Sequence, residues 1–406
     1  MKKIYFFSIP LFGHVNYGLK LARKMKTDGY EVIYYSGNSY KNFIESREIC
    51  FHSYSKDIEK LFSEANSTYN NAFMSNVEPE KQDHIAEWYN FCSHLYKIRD
   101  IFMNNDIYSM NKPDLIIYDS AALWGKNIAE YFKVRSIASC TPYYYPEEYA
   151  RSDYSEFSKL IFQKTYNKSK ASRVVYMMEK SLNGSVIEPL SPTADYRLIY
   201  SVKTFQSGSN YIGTQTYFVG PLIENVDYSD NDSNLISRDI PNIYIAFGSI
   251  YNNGNVFRKI YEACKNLEYN FILNVGDNND LSEFNDLPNN WHVVPRINQI
   301  SMLEKVQLFI SHGGVNSVRE AMYFGVPIIV MPAEGDTLCT AKDIEECKVG
   351  KMISVSELDI IKNSIIKVLN DSEILKNCKK ISKEMCKAGG IERASDIIKN
   401  VMEEIK

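Results

Sequence analysis

The stretch LFISHGGVNSVREAMYFGVPIIVMP, Leu308 to Pro332, decides the fold. It opens on an apolar run, Leu308-Phe309-Ile310, and breaks on His312-Gly313-Gly314. Helix-like spacing starts near Asn316 or Ser317, and a second apolar run, VPIIVMP, closes the stretch. Two buried strands bracketing one helix are the unit of a parallel sheet, because only a crossover brings the second strand back in the same direction. The junction after the first strand has a chemistry of its own. A helix N-terminus leaves backbone N–H groups without intrahelical partners and carries about half a positive charge. Beside it stand His312, two glycines whose missing β-carbons let an anion approach, and the small polar side chains of Asn316 and Ser317. Such a junction suits a phosphate. A capped helix start with no ligand is the competing reading, and the stretch alone does not choose between them.

The same alternation extends outward in both directions. IYFFSIP (4–10), EVIYYSG (31–37), DLIIYDS (114–120) and VRSIASC (134–140) read as strands, with helices near 19–25 and over 124–132. NIYIAFGS (242–249) and NFILNVG (270–276) repeat the plan around a helix at 255–266. Buried strands alternating with helices predict α/β architecture with parallel sheets covered on both faces. Residues 52–110 fit poorly, although Trp88, Phe91, Cys92, Leu95, Ile98 and Phe102 recur at helical spacing and read as a core-facing helix. At 406 residues the chain exceeds one core. The polar, acidic tract after Gly220-Pro221 reads as a linker. The expected domains are 1–220, a linker at 221–235, and 236–385, with a C-terminal helix at 386–406 crossing back to the first domain.

Composition narrows the function. A net charge of −4 gives no field to attract nucleic acid or an anionic membrane, so a phosphate-bearing ligand needs a local site. Eight cysteines without a C-x-x-C pair read as apolar fillers in a reducing, cytoplasmic compartment. Lys2-Lys3 before an apolar run imitates a leader, but the run passes directly into Gly13-His14 without a small-residue cleavage site. No stretch approaches the roughly 18 apolar residues of a membrane span. Neither a Walker loop nor a G-x-G-x-x-G fingerprint is present. The acidic triplet Asp230-Asn231-Asp232 reads as solvated linker rather than as a metal site.

His312-Gly313-Gly314-Val315-Asn316-Ser317-x-x-Glu320, then Gly325-Val326-Pro327, Pro332 and Asp336, resemble the donor-binding signature of family-1 nucleotide-sugar glycosyltransferases. With AFGS (246–249) and Gln299, the resemblance covers most of 242–350 and is closest to the bacterial macrolide-type branch. It implies a GT-B fold, two Rossmann-like domains facing each other across a cleft, and a nucleotide sugar as co-substrate with no other cofactor and no metal. It also implies roles. His312, Asn316 and Ser317 hold the diphosphate at the helix N-terminus with Gly314, and Ser249 lies near the phosphates. Glu320 accepts from the ribose, and Asp336 binds sugar hydroxyls. Two departures stand out. The family's W-x-P-Q reads Arg296-Ile297-Asn298-Gln299, so a guanidinium stands where an aromatic stacks on the base. Asp336 is followed by Thr337 rather than glutamine, which leaves the sugar unspecified.

The resemblance has a second part near the N-terminus, where Phe12-Gly13-His14-Val15-Asn16 follows the first strand and Tyr17 replaces the family's proline. It implies that His14 deprotonates the acceptor and that Asp119, at the carboxyl end of its strand, orients the imidazole. Chemistry supports the pairing. An imidazole with a pKa near 6.5 is a base at neutral pH, and a carboxylate on its other nitrogen selects the tautomer. Thr141 matches a family position near the sugar. Tyr143 and Tyr144, within Pro142–Pro146, read equally as an acceptor wall and as core packing. The expected reaction is a metal-free, inverting transfer from a nucleoside diphosphate sugar, UDP-sugar first, to a hydroxyl of a small-molecule or natural-product acceptor. The alternatives are a degenerate homologue that binds without transfer and a nucleotide-sugar epimerase on the same fold. Acceptor identity and oligomeric state are not written in the sequence.

Overall fold

The computed structural model describes residues 1–64, 84–224, 234–248, 254–276, 287–332, 335–354 and 358–404, and every structural statement below concerns these. The chain divides into one unit of Met1–Lys203, Ser207–Leu222 and Ala388–Lys406, and a second of Thr204–Gln206 and Ile223–Lys387. Each unit carries one sheet. The first is built from β1 (Lys3–Phe7), β2 (Glu31–Ser36), β3 (Cys50–Ser53), β4 (Leu115–Asp119), β5 (Arg135–Cys140), β6 (Tyr196–Ile199) and β7 (Thr216–Phe218). The second contains β8 (Asn242–Ala246), β9 (Asn270–Asn274), β10 (Trp291–Val294), β11 (Leu308–Ser311), β12 (Ile328–Val330) and β13 (Gly350–Met352).

The strand orders are β3-β2-β1-β4-β5-β6-β7 and β10-β9-β8-β11-β12-β13. All neighbours run parallel. In both sheets the chain winds outward one way from the first strand and then reverses, which is the doubly wound Rossmann plan. The reversal falls between β1 and β4 in one unit and between β8 and β11 in the other. Helices on the two sides of such a point diverge and leave a crevice at the carboxyl ends of the strands, where these folds bind ligands.

Strand β1 shows why both faces are covered. Ile4 and Phe6 enter a core with Val15, Leu19 and Ala22 of the Phe12–Thr27 helix, while Tyr5 and Phe7 enter one with Ile98, Phe102 and Trp124. A strand with consecutive apolar residues, as at Ile4–Phe7, must be buried on both sides. The helix His84–Asn104 buries Cys92, Leu95, Ile98 and Phe102, the core-facing stripe expected from their spacing. Strands β3, β6, β7, β10 and β13 escaped the reading of the sequence. Each is three or four residues long, and the edge strands β3, β10 and β13 are largely half-buried or exposed, too short and too polar to show a period.

The Gly390–Glu403 helix belongs to the first unit. Its Ala394, Ile397, Ile398, Val401 and Met402 complete the core around the Phe12–Thr27 helix. A polar clamp closes the seam. Asp28 accepts from Ser395 Oγ at 2.5 Å and pairs with Lys399 at 2.8 Å and Lys24 at 3.1 Å. Burial pushes the Asp28 carboxyl up, but the hydrogen bonds from Lys399, Ser395 and Lys24 outweigh it and hold the pKa down to about 2. A carboxylate with a depressed pKa adds stability above its unfolded value and loses it as pH falls towards the folded one. The clamp is therefore expected to contribute about 2 kcal/mol at pH 7 and to fade between about pH 4 and 2. Urea unfolding of Asp28→Asn should show that deficit at pH 7 and none near pH 2; an equal deficit at both would contradict the assignment.

Candidate active site

In the first unit the chain leaves β1, turns at Ser8–Leu11 and enters the Phe12–Thr27 helix, so His14 lies in the helix's first turn. Neighbouring β4 ends on Asp119. Phe7 pairs with Tyr118, so the helix turn bearing His14 and the strand end bearing Asp119 follow adjacent strands at the point where the strand order reverses. His14 Nδ1 is 2.7 Å from Asp119 Oδ2. Asp119 is 3% exposed and His14 18%, so the carboxylate is sealed and the imidazole remains accessible. Two backbone groups hold the carboxylate: Ala121 N–H donates to Oδ1 at 3.2 Å and Ile9 N–H to Oδ2 at 3.5 Å. A carboxylate accepts only, so Nδ1 carries the proton and Nε2 is the basic nitrogen. These two backbone donors are not visible in the sequence.

Thr141 follows β5 and is buried, with its hydroxyl 3.4 Å from the Ser139 carbonyl. Tyr143 and Tyr144 are buried too; Tyr144 packs with Cys140 and Ile199, and burial pushes its phenol pKa up.

In the second unit the reversal lies between β8 and β11. Ser311 pairs with Ala246, so Phe247-Gly248 and His312 emerge side by side. The helix that follows begins at Val315 with Gly314 as its N-cap, one or two residues earlier than the sequence suggested. Asn316 and Ser317 therefore lie within the first turn, and the N-cap position is taken by a glycine. Both glycines have reasons beyond room for an anion. Gly313 has φ +91°, and a β-carbon there would meet Val330 Cγ2 at 2.6 Å and the Thr337 carbonyl at 3.2 Å. A β-carbon on Gly314 would stand 2.7 Å from His312 Nε2, and one on Gly248 (φ +71°) 2.9 Å from His312 Cε1. The imidazole is thus seated between two glycines from two different strand–helix turns.

Burial pushes the His312 imidazole down to about 4. The ring is neutral at pH 7, and the positive potential for an anion here comes from the helix N-terminus. Gln299 joins two other candidates: its Nε2 donates to Ser317 Oγ at 3.1 Å and to Glu320 Oε2 at 2.6 Å. Glu320 is buried one turn into the helix. Asn298 stands at the family's proline position and caps the Gln299–Leu303 helix, its Oδ1 accepting from Ser301 N–H at 3.1 Å. That cap supplies by hydrogen bond what proline supplies by a fixed φ. Arg296 lies just before it and is exposed. Asp336 opens the Asp336–Glu346 helix, and Thr337 beside it is 2% exposed with its carbonyl against Gly313. Ser249 and the triplet at 230–232 lie outside the described residues. No helix of the described residues is long and apolar enough to cross a membrane.

Comparison with known proteins bears on the fold and the class of enzyme. The family described as erythromycin biosynthesis protein CIII-like, C-terminal domain, matches residues 258–399. The NDP-glycosyltransferase YjiC of Bacillus subtilis (strain 168) is 28% identical over 415 residues, covering all of this chain and 99% of the relative. The uncharacterized UDP-glucosyltransferase YojK of the same strain is 27% identical over 416 residues, covering all of this chain and 98% of the relative. Among solved structures, the calicheamicin glycosyltransferase CalG4 superposes with a TM-score of 0.77 at 17% identity, covering 99% of this chain and 98% of that one. Fold and matches together define a two-domain GT-B glycosyltransferase that uses nucleotide-sugar donors. Over its whole length the chain is similar to these bacterial glycosyltransferases, and over residues 258–399 it matches the erythromycin biosynthesis protein CIII-like family.

Proposed function

We propose that this enzyme transfers a sugar, with inversion, from a UDP-sugar to a hydroxyl of a small-molecule or natural-product acceptor, with His14 as general base. The observation that carries the reading is the 2.7 Å pair of His14 and the sealed Asp119 at the reversal of the first sheet. The acceptor O–H gives its proton to Nε2 of His14. Its oxygen forms a bond to the anomeric carbon as the bond from that carbon to the β-phosphate oxygen breaks, and the electron pair leaves with the nucleoside diphosphate. Asp119 stabilises the imidazolium that forms. In the second unit, the helix N-terminus with His312, Gly314, Asn316 and Ser317 takes the diphosphate. Glu320 takes the ribose, Asp336 with Thr337 the sugar, and Arg296 the base face. Fixed dipoles aimed at the developing phosphate charge serve where other enzymes use a metal.

The acceptor class follows from the chemistry of the base. A neutral imidazole suits a hydroxyl that must lose its proton as it attacks. Mass spectrometry of products from a mixed acceptor panel, each offered UDP-glucose, UDP-galactose, UDP-N-acetylglucosamine and dTDP-glucose, should find O-glycosides. Products with nitrogen or carbon linkages alone would refute the hydroxyl assignment. The anomeric proton coupling in the product should report the configuration opposite to the donor's, and retention would exclude single displacement. Turnover should survive EDTA; loss restored by added metal would refute the metal-free reading.

A further inference from the structure

Gly18 sits in the second turn of the Phe12–Thr27 helix, where glycine costs about 1 kcal/mol relative to alanine. The structure supplies the reason. A β-carbon at Gly18 would overlap the hydroxyl of Tyr34. Tyr34 projects from β2, is 1% exposed, and stacks on Phe6 of β1 with ring centroids 5.8 Å apart at 7°. Its hydroxyl donates to the Val15 carbonyl at 3.2 Å. Val15 is the residue after His14, and its carbonyl belongs to the helix's own ladder. A side-chain donor on that oxygen is a tether applied from the sheet to the turn bearing the base.

The neighbourhood is tied together by buried hydrogen bonds. Ser8, just after β1, donates its hydroxyl to Ser36 Oγ at 3.3 Å. Its carbonyl accepts from Tyr54 Oη at 2.9 Å, and Tyr54 also reaches the Tyr35 carbonyl at 3.2 Å. The next residue, Ile9, is the one whose N–H reaches Asp119. The turn that steadies the carboxylate and the tyrosine that steadies the helix are thus anchored in one buried patch.

We propose that Tyr34 is a positioning residue for the transfer reaction: its hydroxyl fixes the first turn of the helix so that His14 meets Asp119, and Gly18 leaves the space that hydroxyl needs. The inference rests on His14 being the base. Losing one buried hydrogen bond and letting the turn drift is worth about tenfold in rate.

The test uses the full chain with the most active donor–acceptor pair from the panel, and UDP as the binding probe. Tyr34→Phe removes one oxygen. It should lower kcat about tenfold while the acceptor KM and the UDP Kd stay within twofold. In a His14→Ala background the same change should cost nothing further, because Tyr34 acts through His14. Gly18→Ala should be more damaging than Tyr34→Phe, because its methyl displaces the tyrosine as well as its hydroxyl, and the double variant should recover to the Tyr34→Phe level, since phenylalanine vacates the space the methyl needs. If His14→Ala abolishes turnover but Tyr34→Phe leaves kcat within twofold, the positioning role is wrong. Additive losses in the His14→Ala background overturn it as well. Should Tyr34→Phe not fold, a folded Gly18→Ala with undiminished kcat overturns it instead. If His14→Ala keeps full turnover, the base assignment is what fails.

Discussion

His14→Ala should lower kcat by about 10²–10⁴-fold, the usual worth of a general base, while UDP binding measured by calorimetry stays unchanged. Asp119→Asn should be nearly as severe, although it preserves size and shape. Asp119 accepts on both oxygens, from Ala121 N–H on Oδ1 and from His14 and Ile9 N–H on Oδ2. An asparagine has one oxygen to offer. If that oxygen answers Ala121, its amide N–H₂ faces His14 and forces Nδ1 to accept, which moves the imidazole proton to Nε2. The ring can then no longer take a proton from the acceptor. Tautomer inversion of this kind can cost about 10⁴-fold. Asp119→Asn with normal turnover would mean that the tautomer does not matter and that the pair is structural.

The second large effect is expected at Gly314. Its backbone, φ −56° and ψ 128°, is open to any residue, so alanine there carries no conformational penalty. The penalty is steric and local, because the new methyl would sit 2.7 Å from His312 Nε2 and 2.9 Å from Cε1. The ring must leave its seat beside Gly248. UDP affinity should fall about 10- to 100-fold, or roughly 1.4–2.7 kcal/mol, with little change in thermal stability. Gly213→Ala serves as the control, since a β-carbon at Gly213 has nothing within 4 Å and should change neither quantity. Unchanged UDP affinity in Gly314→Ala would show that the seat of His312 has no part in holding the donor.

Much of the fold was legible because buried parallel strands have no polar face to disguise them. The runs that became β1, β4, β8 and β11 each hold three or four consecutive apolar or aromatic residues, and these four central strands define the reversal points. The strands that stayed hidden are the short ones, where three or four residues of mixed polarity carry no period. The candidate residues were legible to the extent that they stand at strand ends, as Asp119 and His312 do, or in the first turn of the helix that follows a strand, as His14 does. What the sequence conceals is the set of contacts that hold them. Nothing in the spelling says that Gly248 and Gly314 flank one imidazole, or that Gln299 joins Ser317 to Glu320. Nor does it announce that Asn298 replaces proline as a cap. These contacts depend on side-chain directions set by packing between elements far apart in the chain.

The seam between the Phe12–Thr27 and Gly390–Glu403 helices also bears on how the protein is made. Met402 joins a core begun by Ile4, so a nascent chain on the ribosome holds the helix of His14 without its last apolar partner until almost four hundred residues have been added. The middle of the chain, with β8 to β13, has no such wait. Synthesis order and folding order therefore part company here: the unit that begins upstream is expected to be finished after the one that begins downstream of it.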